Sequence, residues 1–164
     1  MNHPRRNCRS LALALGLILV SSAVSLAQST RLGAYEFWTS KGKHTARIVI
    51  RNELFEPTKH IVSYDRKKGN LVDGHEAHGV ESVPRTQIKS IEFQFDRRKL
   101  KVPHWLFSDC YDPNLERRYV KLRFSRDSQR VFVTMWGADG AGAYGVVWIL
   151  RANGKHARYF EDSF

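Results

Sequence analysis

Tyr119-Val120-Lys121-Leu122-Arg123-Phe124, Ser125-Arg126-Asp127-Ser128-Gln129 and Arg130-Val131-Phe132-Val133-Thr134-Met135-Trp136 are three consecutive stretches that decide the fold. In the first, apolar and basic residues alternate with the period of two that marks a strand with one buried face. Val120, Leu122 and Phe124 are expected inward, with Lys121 and Arg123 outward. The third repeats the pattern, with Val131, Val133 and Met135 on one face. The polar segment between them reads as a turn, so the three together predict an antiparallel hairpin.

Reading outward from that hairpin, Tyr144 to Leu150 forms another strand, with Tyr144, Val146, Trp148 and Leu150 on one side and Val147 and Ile149 on the other. Apolar residues on both sides suit a central strand. Asn153-Gly154 tolerates positive φ and suits a tight turn into a returning strand over 156–160. Toward the N-terminus, 34–39 and 46–51 are β-rich around the polar turn Ser40-Lys41-Gly42-Lys43. A short strand is expected over 60–64, closed by Arg66-Lys67-Lys68-Gly69-Asn70. Gln87 to Phe95 places Ile91, Phe93 and Phe95 on one face, and Asp96-Arg97-Arg98 turns it into Leu100-Lys101-Val102. Residues 72–86 are the longest irregular stretch. One short helix is expected over 103–111, with Pro103 in its first turn, Leu106, Phe107 and Cys110 as its buried stripe and Asp112-Pro113 as its stop. About eight short strands and one helix predict an all-β, antiparallel β-sandwich or a closely related barrel.

The first 27 residues read as a cleaved secretory signal rather than as part of that fold. Arg5, Arg6 and Arg9 precede the uncharged run Leu11–Val20, and Ser25-Leu26-Ala27 offers small residues for a peptidase. The run is ten residues long, whereas a membrane span needs about 20. The expectation is export to the periplasm or medium, one domain over 28–164, and no membrane span after cleavage. Cleavage takes three arginines and no acid, lowering the formal charge from +11 to +8 over 137 residues. Cys8 leaves with the signal, so Cys110 cannot form an intramolecular disulfide. Its ordinary use is as a small buried apolar residue. The length suffices for one core, and ordinary glycine and proline contents exclude collagen-like and low-complexity classes.

No catalytic constellation emerges from spacing. Gly-x-Ser-x-Gly is absent, and nothing selects a histidine partner for Cys110 as a thiol nucleophile. Asp109 and Asp112 sit three apart, which suits a cap or turn better than two carboxylates facing across a cleft. Asp73-Gly74-His75-Glu76-Ala77-His78 holds zinc-type ligands, but His-x-x-His is a short and common spacing. No cofactor, metal or catalytic residue is therefore expected. The basic groups Arg66-Lys67-Lys68, Arg97-Arg98-Lys99 and Arg117-Arg118 fall on separate turns. They do not form the single face with stacking aromatics that a nucleic-acid reader needs. They suit a solvated surface, or attraction to anionic envelope glycans or lipids that salt would screen over about 8 Å.

The segment Gly137-Ala138-Asp139-Gly140-Ala141-Gly142-Ala143-Tyr144-Gly145 links two strong strands with little side-chain bulk. It reads either as a long hairpin loop or as a contact loop whose backbone enters a narrow cleft. In the second reading Asp139, Gly140, Ala141, Gly142, Ala143 and Tyr144 form the binding element. By alternation, however, the Tyr144 ring could equally face the core.

Three stretches carry a family resemblance: Val102–Leu115 (VPHWLFSDCYDPNL), Asp139–Tyr144 (DGAGAY) with the Trp148 strand after it, and Val83–Ile88 (VPRTQI). Over roughly 83–160 the chain resembles exported bacterial proteins, among them the periplasmic inhibitors of invertebrate-type lysozyme. The resemblance implies a non-catalytic β-sandwich that blocks lysozyme with an exposed loop of Ser-Gly-x-Tyr type. Gly142 and Tyr144 match that loop, and Ala141 stands in the serine's place. The functional expectation is an exported binding protein acting through 137–145 on a lysozyme or another protein with a cleft. The alternative is a basic, envelope-associated structural or surface-binding module.

Overall fold

The computed structural model describes residues 31–138 and 142–161. The expected signal over 1–27 lies outside these, as do Asp139, Gly140 and Ala141 of the candidate loop. Eleven strands follow in order. They are β1 (Gly33–Lys41), β2 (His44–Leu54), β3 (Val62–Asp65), β4 (Gly69–Val72), β5 (His75–Glu76) and β6 (Thr86–Phe95), then β7 (Arg98–Lys101), β8 (Val120–Phe124), β9 (Arg130–Gly137), β10 (Tyr144–Arg151) and β11 (Ala157–Glu161). They make one four-stranded sheet in the order β1-β2-β6-β7, a second in the order β11-β10-β9-β8, and a small sheet β3-β4-β5. Every strand pairing within these sheets is antiparallel. The fold is all-β.

Alternation places the core as expected. Val120, Phe124, Val131, Val133 and Met135 are buried, while Leu122 on the edge strand β8 is half-buried. Tyr144, Val146, Trp148 and Leu150 face the same core from β10, which lies between β9 and β11. Ile48, Ile50, Ile91 and Phe93 of the first sheet join one cluster with them. Each such fully buried aliphatic or aromatic side chain contributes about 1.5–3 kcal/mol. A satellite cluster of Phe55, Val72, Ala77, Val80 and Tyr111 lies beside the small sheet.

Two expectations are corrected. No helix forms near 103–111. His104–Leu106 is a single 3-10 turn, closed by Leu106 N–H to the Pro103 carbonyl and Phe107 N–H to the His104 carbonyl. Beyond it, tertiary pairing captures the backbone: Cys110 bridges His78 and Tyr111 bridges Gln87. That extended stretch sends Cys110 into the main core and Tyr111 into the satellite. The strand count also exceeds eight, because the basic turn after β3 is tighter than its composition suggests. Asp65 accepts hydrogen bonds from the Lys67 and Lys68 N–H groups, so the chain has already returned as β4 by Gly69. The two-residue β5 lies within the stretch read as irregular.

Candidate functional site

The candidate loop closes the β9–β10 hairpin, and its two feet are tied to the rest of the molecule. On the β9 side, Ala138 N–H donates to the Asp112 carbonyl at 2.9 Å, next to a bridge between Pro113 and Gly137. On the β10 side, the Tyr144 hydroxyl donates to the Tyr111 carbonyl at 3.0 Å. Gly142 N–H reaches the Glu81 carboxylate at 3.4 Å, and Ala143 is exposed. The structure decides between the two readings of Tyr144: its ring is core, only 8% exposed, and burial pushes its pKa up. Two glycines make room for it. A Cβ at Gly137 would collide with the Tyr144 ring, and a Cβ at Gly79 would strike both that ring and the Tyr111 carbonyl. Gly79 also holds φ at +91°, which L side chains rarely adopt. Tyr144 thus belongs to the core at the foot of β10, and of the described candidate residues only Ala143 is exposed.

The polar residues singled out by sequence are already engaged. The Arg158 guanidinium donates two hydrogen bonds to the Asp109 carboxylate and one to the Leu106 carbonyl at 3.0 Å, and lies 4.9 Å over the Phe160 ring. Asp112 accepts from the backbone N–H groups of Arg85 and Thr86 and from the Thr86 hydroxyl. The two carboxylates therefore fasten different segments, the C-terminal strand and the approach to β6. The Cys110 thiol is buried, and burial pushes its pKa far above the ordinary range, which opposes a thiolate nucleophile.

The two histidines of the Asp73–His78 segment part company. His78 stacks on Phe160 with ring centroids 3.7 Å apart, and burial lowers its pKa. His75 instead lines an open cleft of about 350 Å³ between the small sheet and the 104–111 segment. His60, Asp73, His104, Ser108 and Tyr111 line the same cleft. Within it Asp73 is held by the His60 imidazole at 2.7 Å and by the Ile61 N–H, which lower its carboxyl pKa. Burial raises the Tyr111 phenol to about 12, so it remains protonated. Among the described residues no three His, Cys, Asp or Glu side chains converge as a metal site. The cleft was not legible in sequence, because its lining comes from five separate segments with no shared spacing.

No family model matches the chain, and neither the curated proteins nor the solved structures searched include a match.

Proposed function

We propose that this chain is an exported, non-catalytic binding protein that works by presenting the 139–143 backbone to a cleft-bearing partner, with an invertebrate-type lysozyme as the partner class. The observation that carries the reading is the double anchoring of the loop. The residues on either side of the Gly/Ala segment are fixed, Ala138 to Asp112 and Tyr144 to Tyr111, and a contact element with fixed ends costs less ordering on docking than one with free ends. Small side chains suit entry into a narrow groove, and the two four-stranded sheets, read as a sandwich, supply the rigid base. Ala141 lacks the hydroxyl of the related loop, so recognition would fall to backbone donors and shape. The engaged states of Asp109 and Asp112 and the buried thiol of Cys110 favour binding over hydrolysis.

The test is inhibition of chicken-, goose- and invertebrate-type lysozymes by the purified protein at micromolar concentration. Inhibition of the invertebrate type that Ala143→Arg abolishes supports the reading. Ala143 is a better probe than Gly142, whose Cβ would meet Glu81 Cγ at 3.2 Å and mix folding with binding. Absence of inhibition across all three types overturns it.

A further inference from the structure

The outer face of the second sheet carries cations in an arrangement that calls for an anionic ligand. On β9, Arg130, Phe132, Thr134 and Trp136 point outward opposite Arg151, Ile149, Val147 and Gly145 of β10. At the end remote from the loop, Arg130 and Arg151 are direct cross-strand partners. Like charges in that position destabilise a sheet. With Gln129 and Asn153 they line a depression of about 230 Å³. Arg130 reaches Asp127 at 3.4 Å, and Arg151 donates to the Lys155 carbonyl at 2.5 Å. One long carboxylate contact is thus set against two guanidiniums.

Along the β8 flank, Lys121 and Arg123 are exposed, and each lies 5.6 Å from the centroid of a ring, Trp136 and Phe132 respectively. A guanidinium resting on a ring keeps its N–H edge free for a carboxylate or sulfate. Among the described residues neither cation has a carboxylate at ion-pair distance. Among the described residues of β8 to β11 the acid is Glu161, paired with Gly145 at the loop end.

We propose that this face binds an acidic polysaccharide laid along β8 and β9, with Arg130 and Arg151 holding one acidic group between them and Arg123 and Lys121 holding others. From Arg130 to Trp136 the track is on the order of 20 Å long, which accommodates several sugar units. Phe132 and Ile149, both half-buried, form an apolar floor beside the buried Val147, and the exposed Tyr159 ring of β11 stands next to it. A polysaccharide fits better than a lipid surface. Phe132 and Trp136 are half-buried beneath the cations rather than projecting, so the face offers charge without the apolar wedge that a bilayer contact uses. The site is separate from the loop and does not depend on lysozyme binding.

The experiment is fluorescence titration with labelled polygalacturonate, with neutral dextran and phosphatidylglycerol vesicles as parallel arms. The wild-type protein should bind polygalacturonate, lose it as salt rises, and ignore dextran. Arg123→Gln with Arg151→Gln should weaken binding about ten-fold or more, since each charge-assisted contact is strong. Lys67→Gln with Lys68→Gln removes the same charge from the β3–β4 turn, in a sheet that shares no strand with this face, and should leave affinity within about two-fold, as expected for charges outside the site. Ala143→Arg should leave polymer binding unchanged whatever it does to lysozyme inhibition. Equal losses in the two double variants, binding to vesicles without binding to the polymer, or no polygalacturonate binding at all would each overturn the proposal.

Discussion

On the outer face of β2, Arg47 and Arg51 each meet a carboxylate, Glu36 at 2.6 Å and Glu92 across the neighbouring strands. On β8, the corresponding outward cations Lys121 and Arg123 lie over aromatic rings instead. Lys89, the extra residue at the β2–β6 bulge, completes the first pattern by pairing with Glu53 at 2.8 Å. Both faces arise from the same alternation of apolar and basic residues. The partner across the strand decides whether a cation is satisfied within the chain or held ready for another molecule. Net charge conceals this, because a paired arginine and a ring-borne arginine contribute equally to the formal charge.

The inner faces show no such contrast, and the largest expected effect tests that equivalence. Val133→Asp on β9 and Ile48→Asp on β2 each place an unpaired charge at a fully buried position of one cluster. Each should remove cooperative unfolding near room temperature, since the penalty is several kcal/mol. If one variant melts like the parent in a calorimetric scan, the two sheets do not share a core.

A smaller loss is expected where the second sheet meets the loop. Tyr144→Ala should cost about 3–5 kcal/mol in urea unfolding, as large aromatic truncations do. Tyr144→Phe keeps the ring between Gly79 and Gly137 and loses the bond to the Tyr111 carbonyl, for about 1–3 kcal/mol. Equal stability of the Phe and Ala variants would contradict the packing described.

Smaller still is a pH effect where His78, outside the strands, stacks on Phe160 of β11. Burial holds the folded-state pKa of His78 below its ordinary 6.5. In the window below 6.5 the unfolded chain therefore takes up a proton that the folded chain refuses. This contribution to stability is full above that pH and is lost as pH falls toward the depressed folded value. His156, lowered by burial, acts in the same direction. Asp96 on the first sheet is lowered from 3.8 mainly by His44, so its contribution persists until far more acid conditions. His78→Phe preserves a ring against Phe160 and should flatten the fall in melting temperature between pH 7 and about 5.5, the span that includes an ordinary imidazole pKa. An unchanged profile would remove His78 from this account. The smallest effect is Glu36→Gln, which frees Arg47 on an exposed strand and should move the melting temperature near the limit of a scan. A large shift there would mean that the surface ion pairs hold the first sheet together.

The β8–β9 hairpin and β10 were legible because each keeps strict alternation over a full strand with one face buried. The 103–111 segment was not, because Leu106, Phe107 and Cys110 show helical spacing while His78 and Gln87, distant in sequence, compete successfully for the backbone at Cys110 and Tyr111. β4 was hidden behind the Asp65 turn, whose side-chain bonds are not readable from composition. For the candidate loop, glycine content marked the β9–β10 connection, but the placement of Tyr144 depended on Gly79, a residue in a different segment. The ring-borne cations were visible as alternating Lys and Arg, but their difference from the β2 arginines required the strand register.

The most direct measurement of the central claim is amide hydrogen exchange on the protein with and without an invertebrate-type lysozyme. The account predicts added protection confined to the amides of the 137–143 segment and the adjoining 79–81 segment, with the outer face of β8 and β9 unchanged. Complex formation without protection at 137–143, or with protection on the sheet face instead, would contradict it.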